Sequence, residues 1–258
     1  MHKLTGTLGI ALAVLSTQAL ATGAISPGWT TVGNSGSSSA QDGVVNIPSG
    51  YSSINWISTN GGVDGNTLPG YPGTNGSTAT SPTFSAAAGD QLSFMFDYVT
   101  SDGSGYPDYG WAGLYNSADN SLAAMLFTAV TTPSGNTVPG NGMPPIDAVT
   151  NPSFVSVVAG APDWSPLGGS TGSCWDVGCG YTGWVSTSYT IGAAGSYYLQ
   201  FGVANARDTL WDSGMAFAGA AIAGSPIDDT HSPVPEPEQW LMLLFGMPLL
   251  AARLRKFR

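Results

Sequence analysis

The sequence predicts an all-β protein: an antiparallel β-sandwich, jelly-roll-like, with a terminal hydrophobic signal helix at each end. Three observations carry this. Residues 90–99 (DQLSFMFDYV) set Leu92, Phe94, Phe96 and Tyr98 on one face at period two, and 195–204 (GSYYLQFGVA) do the same with Tyr197, Leu199, Phe201 and Val203. Short apolar runs of this kind are separated by stretches rich in Gly, Pro, Asn and Asp, the residues that turns require. Between the termini no segment shows the 3.6-residue apolar period of an amphipathic helix.

Taken in order, residues 1–21 (MHKLTGTLGIALAVLSTQALA) read as a secretory signal peptide. Lys3 gives the positive start, an apolar stretch runs from Leu8 to Leu15, and Ala19 and Ala21 occupy the small-residue positions before a cut. The apolar stretch is too short for a permanent span. Passage through the Sec export machinery and cleavage after Ala21 by signal peptidase are therefore expected.

Residues 22–224 form the body. Stretches 33–43 (GNSGSSSAQDG) and 60–81 are packed with turn formers and read as loops. Besides 90–99 and 195–204, strands are expected at 51–57, 109–115, 122–130, 154–159, 184–191 and 215–222. The chain has only 9% charged residues, with 36 Gly and 18 Pro, yet 42% of it is apolar and 10% aromatic. That is enough to bury a core rather than remain disordered. No internal repeat is evident.

Residues 225–234 read as a Pro-rich linker that would hold the C-terminal tail away from the fold. That tail, residues 235–258, has three parts: Pro235-Glu236-Pro237, an apolar run from Trp240 to Ala252, and a basic end carrying Arg253, Arg255, Lys256 and Arg258. Basic residues resist translocation, so this order keeps the last residues in the cytoplasm and makes the apolar run a transient stop in the inner membrane. At 1.5 Å per residue the run covers roughly two-thirds of a 30 Å bilayer core. The tail resembles a PEP-CTERM sorting domain, the Pro-Glu-Pro, hydrophobic, Arg-rich signal of Gram-negative bacteria. The resemblance implies recognition by an exosortase, a membrane cysteine protease, and then release or transfer to the cell surface, often where an exopolysaccharide or biofilm matrix is made. The alternative is an amphipathic or membrane-anchoring helix. Residues 89–115 and 195–222 also resemble the jelly-roll or lectin-like bodies of other PEP-CTERM and choice-of-anchor surface proteins, a likeness that assigns no functional residue.

The charge pattern narrows function. Of six basic residues only Arg207 lies in the body, where the acidic residues are all Asp; the two Glu, Glu236 and Glu238, belong to the tail. Such a body is repelled by nucleic acid and by anionic head groups, so no nucleic-acid partner is expected. Cys174 and Cys179 are too few for a structural zinc site, and export favours a local disulfide between them, with two free buried thiols as the alternative.

Gly168-Gly169-Ser170-Thr171-Gly172 matches the G-x-S-x-G pattern of a nucleophile elbow, but that elbow needs a strand before it, a helix after it and a His base. The region offers only His231, in the linker, so no catalytic residue is assigned and an enzyme is not expected. No cofactor is expected either, with one open question. Asp97, Asp102 and Asp108 follow a strong strand, as Asp208 and Asp212 follow another, and loop carboxylates suit Ca²⁺. Against this, Asp also favours turns by bonding its own backbone, and no full calcium-loop signature is present.

Trp111, Trp164, Trp175, Trp184 and Trp211, with several Tyr, are candidates for stacking on sugar rings and equally for filling the core; the turn-rich surroundings of Trp164 and Trp175 make these two the better candidates for exposure. The reading is thus an exported, non-catalytic, exosortase-sorted surface or extracellular protein associated with matrix polysaccharide. A carbohydrate-binding module is the alternative and a secreted hydrolase a distant one.

Overall fold

Period-two alternation works only if one strand face meets an apolar partner, and here two sheets supply that partner to each other. The computed structural model describes residues 23–231. In chain order its strands are β1 (Thr30–Val32), β2 (Asn34–Ser38), β3 (Ile54–Ser58), β4 (Val63–Asp64), β5 (Asn75–Thr80), β6 (Phe84–Ala86), β7 (Gln91–Thr100), β8 (Tyr109–Asn116), β9 (Leu122–Val130), β10 (Val149–Asn151), β11 (Val158–Ala159), β12 (Gly180–Tyr181), β13 (Val185–Thr190), β14 (Gly195–Ala204), β15 (Ser213–Ile222) and β16 (Ser225–Pro226), with a short 3₁₀ segment at Ser165–Ser170.

One sheet contains the order β13-β7-β15-β3 and the other β5-β14-β8-β9, with every pairing antiparallel. The chain passes between the sheets in the double Greek-key sequence of a jelly roll. The sandwich expectation therefore holds.

The inner faces carry the residues that the alternation picked out. Leu92, Phe94, Phe96 and Tyr98 from β7 meet Tyr197, Leu199, Phe201 and Val203 from β14 in one buried cluster. Phe96 stacks on Phe127 at 3.7 Å between centroids and Phe201 on Phe217 at 4.2 Å, while Phe94 meets Phe201 edge-on. Such pairs add about 0.5–1.5 kcal/mol each beyond burial of their area.

The outer faces are covered too. Val45, Ile54, Trp56 and Trp164 cluster outside one sheet, and Leu68, Tyr109, Trp111 and Met125 outside the other. This explains why β8 and β15 are apolar almost throughout rather than alternating.

Three expectations are corrected. The stretches 33–43 and 60–81, read as loops, contain β2 and β5. β5 reads NGSTAT yet is buried, because its small polar side chains bond the neighbouring backbone: Ser77 Oγ donates to Ser58 O at 2.6 Å and Asn75 Nδ2 to Thr59 O at 3.4 Å. Of 154–159 only Val158–Ala159 is a strand. Residues 225–231, read as the start of a linker, lie on the body instead: β16 pairs with β15, Tyr51 bridges to His231, and Asp228 and Thr230 are buried.

The signal peptide 1–21, with Ala19 and Ala21, lies outside the described residues. So do the rest of the linker and the tail with Pro235, Glu236, Pro237, Arg253, Arg255, Lys256 and Arg258. Among the described residues no helix is long and apolar enough to cross a membrane.

Candidate functional site

Three loops meet at one end of the sandwich: 101–108 between β7 and β8, 171–179 ahead of β12, and 205–212 between β14 and β15. Backbone bonds lock them together. Trp175 N donates to Ser101 O at 3.0 Å, Ser104 N to Val177 O at 2.9 Å, and Ser101 N and Oγ to Asp212 O at 3.2 and 2.8 Å. Arg207 Nη1 donates to Gly105 O at 3.0 Å, joining the outer two loops directly. A disulfide links Cys174 to Cys179 and closes the middle loop around Trp175.

This tip shows apolar side chains to solvent. Trp175 is 54% exposed and Leu210 62%, with Val177 and Tyr106 also exposed. Trp211 is half-buried beside Trp175, their ring centroids 5.5 Å apart and their planes at 34°. Trp211 has φ +57°, a left-handed conformation that a bulky residue adopts only where its surroundings impose it. Two tilted indoles on a loop-built rim form a shelf rather than a piece of core.

Beneath the shelf lies a polar network. Tyr98 OH is 3.1 Å from Thr131 Oγ1, which donates to Thr100 Oγ1 at 3.1 Å; Ser213 Oγ then stands 2.8 Å from Thr100 Oγ1 and 2.7 Å from Asp108 Oδ2. Asp108 Oδ1 accepts from Ala206 N at 3.0 Å. Asp212 accepts from Thr59 Oγ1 and Ser170 Oγ at 3.2 and 3.1 Å. Asp102 Oδ1 accepts from Gly103 N at 2.6 Å, while Asp102 Oδ2 is buried with no partner.

Burial pushes all three carboxyls up. Asp102 rises to about 7, with the charge of Asp208 adding to desolvation, and Asp108 rises well above the usual carboxylate range, with Asp102 and Asp208 adding. Asp212 also rises through burial. Desolvation raises all three, and neighbouring carboxylates add to it at Asp102 and Asp108.

No family model matches the chain, and no curated protein is similar to it. Among solved structures, the K3 cleaved adhesin domain of Lys-gingipain from Porphyromonas gingivalis w83 aligns with 75% of this chain and 92% of its own length, at 12% identity and a TM-score of 0.34. A likeness that distant assigns neither fold nor function, which rest here on the chain's own residues.

The carboxylates weighed for Ca²⁺ are only partly brought together. Asp102 and Asp108 share the tip. Asp97 alternates with the inward Phe96 and Tyr98, so its side chain leaves the other face of β7; Thr182 Oγ1 stands 3.2 Å from it and burial raises it to about 7. Among the described residues no group of three or more His, Cys, Asp or Glu is disposed to hold a metal ion.

Trp164, expected to be exposed, is 1% exposed. It fills a slot over β15 that exists because residue 214 is glycine: a Cβ there would stand 2.5 Å from the Trp164 ring. Trp175 is exposed as expected, and Trp111 and Trp184 lie elsewhere, Trp111 fully buried and Trp184 Nε1 donating to Asn46 O at 2.9 Å. Trp211, ranked below Trp164 and Trp175 for exposure in the sequence, is the other shelf residue.

Ser170 of the G-x-S-x-G match sits in the 3₁₀ segment against Asp212, whereas His231 lies at the far end of β15, so the two do not meet.

Proposed function

We propose that this chain is an exported, non-catalytic binding protein of the cell surface or extracellular matrix, and that the Trp175–Trp211 shelf is where it holds polysaccharide. The observation that carries this is the pair itself: two indoles side by side, Trp175 on a disulfide-closed loop and Trp211 in an unfavourable backbone conformation, both outside the core. Sugar rings present apolar C–H faces, and exposed rigid aromatics receive them with little loss of side-chain entropy.

Delivery follows from the ends of the sequence. The Sec machinery exports the chain, signal peptidase cuts after Ala21, and an exosortase acts on the Pro235–Pro237 tail. The Cys174–Cys179 disulfide fits an oxidising destination. Among the described residues Arg207 is the only Lys or Arg, which disfavours a polyanion as ligand.

Retention of the exported protein on matrix polysaccharide from the producing cells is the test. Trp175→Ala is expected to lower retention about tenfold or more while leaving thermal unfolding within a few degrees, since an exposed side chain contributes little to stability. Unchanged retention by a folded Trp175→Ala protein would remove the shelf from the account.

A further inference from the structure

The cover over the outer face of the β7 sheet stops short. Val45, Ile54, Trp56 and Trp164 roof β3 and β15, and this layer ends at Tyr51. Beyond it the outward residues of β7 and β13 lie open, Ser93 beside Ser188 and Met95 beside Ser186, alternating with the inward Leu92, Phe94 and Phe96. They floor a cleft of about 270 Å³, bounded on one side by Tyr51 and on the other by Val149 and Asn151 of β10.

The backbone sets the shape of this cleft. β15 shifts register between Ala218 and Ala221, and Gly219 in that bulge has φ +71°. A Cβ there would stand 2.4 Å from the Tyr51 hydroxyl, so glycine is what lets the phenol lie against the strand. Tyr51 is braced from behind. It bridges to His231, their ring centroids 5.3 Å apart, and Ser52 N donates to Thr230 O at 2.9 Å. The segment 225–231 thus fixes an aromatic wall.

The chemistry of the lining is neutral throughout. On a chain of net charge −10, no charged side chain faces the cleft. Ser186 Oγ donates to Asn151 O at 3.2 Å, whereas the Tyr51, Ser93 and Ser188 hydroxyls and the Asn151 amide make no hydrogen bond to another described residue. These groups both donate and accept, and they stand beside an aromatic ring and the Met95 thioether. That combination suits a ligand with hydroxyls on its edge and C–H groups on its faces. It gives neither an anion nor a cation a counter-charge. The volume lies at the small end for ligand sites, which is room for one ring.

Resting on the polysaccharide reading above, we propose that this cleft is a second saccharide contact, taking one ring of a neutral glycan with its hydroxyls on Ser93, Ser188 and Asn151 and its face towards Tyr51. At 3.3 Å per residue Gly219 lies about 25 Å along the chain from Trp211. Shelf and cleft therefore hold separate rings, and one molecule engages two stretches of polymer.

The test is a nuclear magnetic resonance titration of the exported protein and of its Trp175→Ala variant. The probes are cellohexaose, maltohexaose and the hexamer of N-acetylglucosamine, with the hexamer of galacturonic acid as the acidic control. At least one neutral hexamer is expected to shift the backbone amides of Ser93, Met95, Ser186 and Ser188 in both proteins, at similar midpoints, and the acidic hexamer is not. Asn151→Ala with Ser188→Val changes two exposed side chains and so spares the fold. It is expected to weaken the cleft response about tenfold while the indole signals of Trp175 and Trp211 respond as before.

Shifts confined to the tip would overturn the cleft and leave the shelf reading in place. Cleft shifts that vanish in Trp175→Ala would mean that the cleft only follows the shelf, and overturn it too. An acidic hexamer that shifts the cleft as strongly as the neutral ones would overturn the neutral assignment. Cleft amides that move on dilution of the protein alone, and stop doing so in Val149→Asp, would give the cleft to a second copy of the chain instead. No shift anywhere with any hexamer would overturn both readings.

Discussion

The two ends of the sandwich each bury aspartate, and they use it differently. At the end where the chain leaves β15, Asp228 is saturated: Oδ2 accepts from Ala220 N at 2.9 Å, Oδ1 accepts from Thr230 Oγ1 at 2.7 Å and Thr230 N at 3.2 Å, and His231 Nδ1 lies 3.4 Å away. Thr230 Oγ1 in turn accepts from Gly219 N at 2.7 Å. That carboxyl ties residues 225–231 to the fold. At the opposite end Asp102 accepts one bond and leaves its second oxygen unpartnered, while Trp175 and Leu210 stay in solvent above it. A saturated acid organises the chain around it; an under-partnered one is held in place by the chain, and such sites are where function resides.

The largest expected effect is of pH. Asp97 and Asp102 are raised to about 7 in the fold against an ordinary 3.8, and Asp108 and Asp212 are raised as well, each chiefly by burial. A carboxyl raised in this way keeps its proton in the fold where the unfolded chain has already released it. Stability therefore increases as pH falls from about 7 towards 4 and is lost as pH rises through the folded value. Unfolding in urea is expected to require about 5 kcal/mol more at pH 5 than at pH 8, roughly half of it from Asp102, so that Asp102→Asn flattens the slope by about half. A flat profile, or one rising with pH, would break the claim that these acids are buried against their preference, and a slope that Asp102→Asn leaves unchanged would break it for the tip.

Substitution at the two ends separates them next. Asp228→Ala strands two buried amide donors and is expected to destabilise by about 2–3 kcal/mol. Asp102→Asn at pH 8 removes a charge that the fold disfavours and is expected to be neutral or stabilising by about 1 kcal/mol. Urea unfolding of both variants at pH 8 decides it: equal losses would mean that the two acids do the same work.

Much of this frame is legible in the sequence, and the gaps have physical reasons. Leu92, Phe94, Phe96 and Tyr98 alternate because β7 buries one face, and Tyr197 to Val203 do so for the same reason in β14. β5 was illegible because Ser77 and Asn75 satisfy backbone oxygens instead of filling a core, which looks like loop composition. Trp164 misled because the signal for its burial is a glycine fifty residues later. Residues 225–231 read as linker because nothing local shows that Asp228 has donors waiting on β15. The tip was half legible: Cys174, Cys179, Trp175 and the aspartates stood out, but that Trp211 joins Trp175 depends on how β14 turns into β15.

Trp211 offers the most direct test of the central claim, that the tip is built for binding and not for the fold. Asparagine tolerates the left-handed conformation that residue 211 adopts at φ +57°. Trp211→Asn should then keep the unfolding free energy within about 1 kcal/mol of the original, relieved strain offsetting the lost ring contact, while polysaccharide retention falls about tenfold or more. A variant that unfolds several kcal/mol more easily yet is retained undiminished would show Trp211 to be a structural residue and contradict the account.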